Sequence, residues 1–296
     1  MLNNNIRDVE KEWFTKSGGI QGKEVYKDLA EKIIQLLDQE SNIIDVINWM
    51  KQEVCEKYKK NSSKKLTDGA LNNCSGAWNE YIAASYLTHF CLKFNESSKD
   101  KIIVITNLPP TRIKNGETAT FLKLFQSEEF EAGKPLSMLN DIRNRIFFPS
   151  PDLVVLSVNE HFYTSFDIDS LLKKQEKAPY ESSLYKKIEG TIQSSNVRSI
   201  ASLKTSYRPD RRYQPLFETA MLKAITYGLE QNWRYYMIAS KVSKSDEILF
   251  ENLISPHGIV LKYLDIKNTQ SRFVDNTYIY SDKKSLLEIF SELAKR

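Results

Sequence analysis

Three carboxylates in the sequence occupy positions where an apolar or neutral side chain is expected. Glu80 lies at the margin of the apolar stripe of a predicted helix, and Asp152 precedes the apolar run of a predicted strand. Glu218 falls on the apolar stripe of another predicted helix. Burial of an ionised carboxylate is unfavourable unless a cation or a metal ion compensates its charge. The three acids are therefore candidates for a functional site.

A lysine completes this set of candidate residues. Lys204 shares one face of a predicted strand with Ser202. Carboxylate oxygens bind Mg²⁺, and the metal lowers the pKa of a bound water that can attack phosphorus. A lysine stabilises the charge that develops on the phosphate. The set predicts Mg²⁺-dependent hydrolysis of a phosphodiester, although each acid alone is also compatible with a helix cap, a solvated edge or a salt bridge.

A cluster of arginines follows in "KTSYRPDRRYQPLFE", residues 204–218. It contains Arg208, Arg211 and Arg212, with Asp210 among them. Arginine recognises guanine through O6 and N7 in the major groove, and a carboxylate can accept a hydrogen bond from cytosine N4. A segment that bound only phosphate would exclude Asp210, because a carboxylate repels the DNA backbone. The segment therefore predicts recognition of G·C pairs, and the alternative is a surface Asp–Arg salt bridge in a turn.

Other catalytic chemistries have less support in the sequence. The chain contains no G-x-S-x-G motif, no P-loop and no dinucleotide-binding glycine fingerprint. Its cysteines and histidines lack the pairing that a zinc site needs. A glycosidase with two carboxylates would leave the arginine cluster unexplained.

Hydrophobic periodicity and turn residues predict the elements that position these side chains. We expect Ser75 to cap one helix, Pro215 to lie in the first turn of another, and a basic, exposed connection over 59–69. The predicted class is α/β or α+β around a central mixed β-sheet, with antiparallel pairing. Helices are predicted over 24–39, 42–58, 75–94, 215–228 and 283–294, and buried strands over 101–109, 147–158, 198–206, 234–240 and 258–263.

Composition places few limits on function. The net charge of +4 and a hydrophobic content of 41% are ordinary for a globular protein, and 296 residues suffice for a large domain with a sizeable core. Three cysteines without metal-ligand spacing predict a reducing cytoplasm. We expect no signal peptide and no membrane span. The predicted organisation is an N-terminal helical region or subdomain at 1–65, followed by one domain at 66–296.

Several motifs resemble those of a known enzyme family. Pro151 and Asp152 followed by "SLK", which ends at Lys204, resemble the PD-(D/E)XK nuclease signature, with Ser202 where the second acid usually stands. "KTSYRPDRR" and the later Glu218 resemble the CCGG-recognising group of type II restriction endonucleases. "NCSGAWNE" (73–80) resembles a helix segment of the same group. The similar motifs span residues 73 to 218.

The resemblance implies a role for each motif residue. It implies an α/β core of the PD-(D/E)XK type, with Asp152 and Glu218 as Mg²⁺ ligands and Lys204 as the catalytic lysine. Glu218 then replaces the acid that is missing at Ser202. By the same resemblance Glu80 is an accessory acid, Arg208, Asp210 and Arg211 contact the C·G pairs of CCGG, with Arg212 beside them, and Asn73 lies near the minor groove.

The resemblance also implies the reaction and the partners. The expected substrate is double-stranded DNA with a palindromic site that contains 5′-CCGG-3′, cut before the first C to leave four-base 5′ overhangs. Cleavage of both strands of a palindrome implies a symmetric homodimer or a homotetramer, in the cytoplasm of a bacterium. Three alternatives stay open: an interrupted site in which CC and GG are separated, a DNA-binding protein that does not cleave, and a structural α/β protein with a basic turn.

Overall fold

The computed structural model describes residues 13–15, 18–39, 41–61, 66–111, 117–148, 150–206, 212–228, 231, 233–263 and 272–295. Strands in this part of the chain are β1 (Lys101–Ile105), β2 (Leu153–Val158), β3 (Val197–Ser206), β4 (Arg234–Lys241) and β5 (Asn276–Ile279). Helices are α1 (Gly22–Asp38), α2 (Ile43–Asn61), α3 (Asp68–Ser97), α4 (Glu160–Ser165), α5 (Ile168–Lys177), α6 (Ser183–Ile188), α7 (Tyr213–Gly228), α8 (Lys244–Asn252), α9 (Pro256–Tyr263) and α10 (Lys283–Leu293).

The five strands form one mixed sheet in the order β1-β2-β3-β4-β5. β1 pairs with β2, and β2 with β3, in antiparallel fashion, whereas β3–β4 and β4–β5 are parallel. The central strands are apolar on both faces, as is typical of sheets that helices cover on both sides. The expected α/β class with a central mixed sheet is confirmed, although only half of the pairings are antiparallel.

Helix α3 lies across one face of the sheet, where it contacts β1 and β3. Its N-cap is Thr67, whose side chain accepts a hydrogen bond from the backbone N–H of Ala70. The expectation of a cap at Ser75 is wrong, because the helix begins about two turns earlier. Ser75 instead donates its hydroxyl hydrogen to the carbonyl of Asn72 within the helix.

The two N-terminal helices pack on α3 and extend the same buried core. The indole Nε1 of Trp78, which is fully buried, donates a hydrogen bond to the carbonyl of Gly22 at 2.8 Å. Helix α2 continues to Asn61, and α3 begins at Asp68, so the connection expected over 59–69 is shorter than predicted. The basic residues at the start of that segment therefore belong to the last turn of α2.

The strand predicted over 258–263 is wrong, since this segment belongs to α9. Periodicity cannot distinguish a short apolar run in a strand from one in a helix. Pro256 begins the helix, where its missing N–H costs nothing, and Ile259 and Val260 are more than half exposed. Strand β5 is not among the predicted elements, because it is a short and partly exposed edge strand with a weak apolar pattern.

Short helices fill the connections on either side of β2. Three helices lie between β2 and β3, and short 3₁₀ turns between β1 and β2 include Leu122–Leu124 and Ser137–Leu139. In the described ranges, no helix is both long enough and apolar enough to span a membrane.

Candidate active site

Asp152 lies immediately before β2, at the edge of the sheet where β3 ends. The antiparallel register pairs Leu153 with Ala201, which places Asp152 beside Ser202 on the neighbouring strand. Its Oδ2 atom accepts hydrogen bonds from the backbone N–H of Leu203 at 2.9 Å and from the Ser202 hydroxyl at 3.3 Å. The carboxylate is therefore held in one orientation by β3.

Lys204 contacts the same carboxylate from the end of β3. Its Nζ atom lies 2.7 Å from Oδ2 and 2.9 Å from Oδ1 of Asp152, and only 15% of its side chain is exposed. Burial lowers the pKa of this ammonium, but the charges of Asp152, Glu80 and Glu218 more than offset that effect, so that the pKa is raised. Lys204 therefore remains protonated and acts as a fixed positive charge.

Glu218 approaches this pair from α7, with Pro215 in the first turn of the helix. Its residue exposure is 2%, and in the described part of the chain its Oε1 atom has no hydrogen-bond partner. Burial is the largest cause of a pKa raised well above the usual value, and the charge of Asp152 adds to it, while Lys204 and the hydroxyl of Tyr235 oppose it. A cation bound beside this carboxylate would favour its charged form and lower its pKa.

Glu80 projects from α3 into a cleft of about 110 Å³ that Asp152 also lines. The cleft is bounded by Tyr81 and by Leu203 of β3. The charge of Glu80 contributes to the raised pKa of Lys204. Sequence-predicted Asp152, Ser202, Lys204, Glu218 and Glu80 are thus brought together from two strands and two helices.

The donor set of this site fits a divalent cation with a preference for oxygen. No group of three or more His, Cys, Asp or Glu side chains in the described residues could by itself hold a metal ion. Mg²⁺, however, usually takes only one or two protein carboxylates and keeps waters or substrate phosphates as its other ligands. Asp152 and Glu218 supply two such carboxylates, and the unpartnered Oε1 of Glu218 is available to a cation.

The arginine-rich segment expected to contact DNA is described only at its end. Arg208, Asp210 and Arg211 lie outside the described residues. Arg212 is partly exposed, and its Nε atom forms an ion pair at 2.5 Å with Asp246, which is buried at the start of α8. The structure therefore gives Arg212 a contact within the protein.

Asn73 is exposed on α3, one turn before Gly76. A Cβ atom at Gly76 would lie 3.9 Å from the Thr205 hydroxyl of β3, so this part of the helix runs close to the end of the strand that carries Lys204. Sequence reasoning missed Asp246 and Tyr235, since nothing in the local pattern distinguishes either from an ordinary cap or core residue.

Comparison with known proteins gives consistent relatives. Residues 6–296 match the family described as Cfr10I/Bse634I restriction endonuclease, so the match includes the N-terminal helices. The type II restriction enzyme Cfr10I from Citrobacter freundii is 25% identical in an alignment of 233 residues that covers 72% of this chain and 74% of that protein.

Solved structures share the fold. The Bse634I restriction endonuclease superimposes with a TM-score of 0.71 at 19% identity, covering 94% of this chain and 93% of that chain. A crystal structure of the type IIF restriction endonuclease Bse634I with cognate DNA gives a TM-score of 0.67 at 20% identity, covering 95% of this chain and 96% of that chain. The mixed sheet with its flanking helices is therefore the fold of these nucleases.

Proposed function

Since this chain belongs to the Cfr10I/Bse634I restriction endonuclease family and is a type II site-specific deoxyribonuclease, we propose that it uses Mg²⁺ to cut both strands of a palindromic DNA site containing 5′-CCGG-3′. The cut lies before the first C and leaves four-base 5′ overhangs. The proposed catalytic role rests on one observation, which is that Asp152, Lys204 and Glu218 lie together at one edge of the sheet.

Two carboxylates would hold the metal in this proposal. Asp152 and Glu218 both act electrostatically on Lys204, and both present oxygen ligands. Bound Mg²⁺ supplies an activated water and neutralises charge on the scissile phosphate. Ser202 cannot replace either carboxylate as a charged ligand, but its hydroxyl helps to orient Asp152.

Lys204 stabilises the anionic phosphate during cleavage. Its ammonium is held by Asp152, and its raised pKa keeps it charged at neutral pH. A fixed cation in a partly buried site stabilises developing negative charge more strongly than one in water. Glu80, which lines the same cleft from α3, is an accessory acid that adds to the field around Lys204.

Sequence recognition is assigned to the segment that follows Lys204. Arg208, Asp210 and Arg211 are proposed to contact the C·G pairs in the major groove, and Asn73 is proposed to lie near the minor groove. The support is the resemblance of this segment to the CCGG-recognising group, together with its place in the sequence directly after the end of β3. Arg212 is proposed to stabilise the start of α7 through Asp246, in addition to any contact with DNA.

The proposed assembly is a homodimer or a homotetramer in the bacterial cytoplasm. A palindromic site has twofold symmetry, so two copies of one active site can cut the two strands at equivalent positions. The three cysteines are free thiols, as expected for a reducing compartment. Within each copy, the proposed organisation is an N-terminal helical region at 1–65 and a nuclease domain at 66–296.

Mapping the products of cleavage tests the function directly. The protein is incubated with plasmids of known sequence, with Mg²⁺ or with EDTA, and the fragment ends are sequenced. Ends that begin with CCGG in the presence of Mg²⁺ are expected. Ends in which CC and GG are separated by further bases would support the interrupted site instead, and no Mg²⁺-dependent cleavage would overturn the proposal.

Two kinds of variant separate cleavage from recognition. Asp152→Ala is expected to abolish cleavage while specific DNA binding in Ca²⁺ is retained, because the residue is a proposed metal ligand and contacts no base. Arg208→Ala or Asp210→Ala is expected to weaken specific binding by about 1–3 kcal/mol for each lost base contact. If Asp152→Ala cut DNA at the wild-type rate, the metal assignment would be wrong.

A further inference from the structure

Lys223, on the inward side of α7, is a fully buried lysine to which the proposed reaction assigns no role. Its exposure is 1%, and its ammonium forms an ion pair at 2.5 Å with the carboxylate of Asp275. Burial of an ammonium is unfavourable unless a carboxylate and hydrogen bonds compensate its charge. Replacement of such a pair by neutral groups often leaves stability unchanged or raises it. Stability alone therefore does not explain why a lysine lies here.

Asp275, the partner of Lys223, is fixed to the sheet through its backbone and its side chain. Its Oδ2 atom also accepts a hydrogen bond from the backbone N–H of Tyr235 at 2.6 Å, and its own N–H donates to the carbonyl of Tyr235 at 2.9 Å. Tyr235 belongs to β4, and Asp275 directly precedes β5. The ion pair thus joins α7 to a defined point between two strands.

A second polar contact joins α7 to the same segment. Thr219 is fully buried one turn before Lys223, and its hydroxyl donates a hydrogen bond to the carbonyl of Phe273. Residues four positions apart lie on the same side of a helix, so Thr219 and Lys223 form one polar row that faces residues 273–275. Rotation of α7 about its axis would break both contacts.

The rotation of α7 determines where the Glu218 carboxylate lies, because Glu218 directly precedes Thr219. Side-chain atoms about 5–6 Å from a helix axis move by roughly 2 Å when the helix rotates by about 20°. Mg²⁺ requires near-ideal octahedral geometry with oxygen ligands at about 2.0–2.1 Å. A rotation of that size would therefore remove Glu218 from a metal ion held by Asp152.

We propose that the Lys223–Asp275 pair is a positioning device that fixes the rotation of α7 and thereby places the Glu218 carboxylate for the metal. This inference rests on the proposed function, because it takes Glu218 as a metal ligand. Neither member of the pair contacts the metal or the DNA in this role. An apolar side chain in place of Lys223 could pack in more than one rotation of the helix, whereas the ion pair selects one.

The chain offers a matched control for this pair. Lys283 and Asp38 form an ion pair at 2.6 Å between the start of α10 and the end of α1, with 42% and 49% of their side chains exposed. The double variants Lys223→Met/Asp275→Asn and Lys283→Met/Asp38→Asn each replace one Lys–Asp pair by neutral side chains of similar size. Only the first changes the helix that carries Glu218.

The experiment compares wild type with both double variants in two Mg²⁺ titrations. One follows the rise in Tm of the protein without DNA, and the other follows single-turnover cleavage of a duplex that carries the mapped site. Lys223→Met/Asp275→Asn is expected to need about 10-fold more Mg²⁺ for the half-maximal effect in each titration, at the lower end of the effect of groups that orient metal ligands. Its binding of the same duplex in Ca²⁺ should be unchanged, and the control should behave as wild type.

Each other outcome rejects a defined claim. A folded Lys223→Met/Asp275→Asn with the Mg²⁺ dependence of wild type overturns the positioning role, as does an equal shift in both double variants or a loss of DNA binding. If this double variant does not unfold cooperatively in EDTA, Lys223→Met alone provides the test, because the side chain of Asp275 is 28% exposed and keeps its hydrogen bond from Tyr235. An unchanged Mg²⁺ dependence would then reject the role. A wild type that does not cleave DNA rejects the proposed function itself.

Discussion

Replacement of Glu218 by glutamine is expected to stabilise the metal-free protein while it destroys activity. The side chain has 2% exposure, and its Oε1 atom has no hydrogen-bond partner in the described residues. Burial and the nearby charge of Asp152 raise its pKa well above the usual value. A neutral amide of the same shape avoids both the desolvation of a charge and the repulsion by Asp152.

The expected gain comes from removing a buried negative charge, and each pH unit by which the folded pKa lies above its ordinary value contributes about 1.4 kcal/mol at a pH above both values. In domains of about 150–250 residues, 1 kcal/mol changes Tm by roughly 2–4 °C.

The gain in stability of Glu218→Gln over wild type depends on pH in a defined direction. Because the folded pKa of Glu218 is raised above its ordinary value of 4.5, the folded state retains a proton that the unfolded state releases as pH rises. The stability of wild type therefore falls across this window.

The difference between Glu218→Gln and wild type should consequently be small at about pH 4, grow as pH rises and become complete above the folded pKa. Calorimetric or fluorescence-detected unfolding in EDTA, measured from about pH 4 to pH 9, provides the test. Glu80→Gln is the matched control, since this acid of the same site is only partly buried, and its replacement is expected to change Tm little.

Mg²⁺ should reverse the order of stability. A ligand at about 100 times its Kd stabilises a protein by about 2.7 kcal/mol, and this increase is expected for wild type but not for Glu218→Gln. A variant that is less stable than wild type in EDTA at alkaline pH, or a difference independent of pH, would refute the reasoning about the buried charge.

Three further substitutions test other parts of the structure. Lys204→Met should lower the cleavage rate by at least about 10²–10³-fold, because it removes the cation that stabilises the phosphate. DNA binding in Ca²⁺ is the control. Cleavage near the wild-type rate would contradict the assignment of Lys204. Arg212→Ala should lower the free energy of unfolding, measured by urea denaturation, by about 1–3 kcal/mol, because it leaves the buried carboxylate of Asp246 without its cation. An unchanged free energy would mean that the ion pair does not stabilise α7. Trp78→Phe should cost about 1–3 kcal/mol in the same assay, because the hydrogen bond to the Gly22 carbonyl is lost, whereas full retention of stability would show that this bond does not anchor α1.

Most of the regular structure could be predicted from local patterns. Periodicity is strong in the two N-terminal helices, in the helix that carries Glu80 and in the strand that carries Lys204. The structure confirms all four elements, and most of their ends lie within a few residues of the predicted ones. Predictions failed where the local signal is ambiguous or weak. The run at 258–263 contains enough apolar residues for a strand, but Pro256 and the exposed Ile259 belong to a helix.

The candidate site could also be predicted in part from the sequence. Glu80, Asp152 and Glu218 stand out because an acid in an apolar pattern is costly without compensation, and the motif from Lys204 onward indicates their shared purpose. None of these signals establishes that the side chains meet. The register of β2 on β3 places Asp152 beside Ser202 and Lys204, and the packing of α7 brings Glu218 to the same edge.

The sequence by itself predicted the candidate site residues from their types and spacing, and most of the elements from periodicity over a few turns. It predicted the class of reaction from the same residues and from motifs that resemble those of a nuclease family. Only the tertiary structure decided which buried polar groups pair with one another across the sheet. Tyr235, Lys223 and Asp275 are separated along the chain and resemble ordinary core or turn residues. Their connection depends on strand register and helix rotation, which arise from packing across the whole sheet and not from local preference.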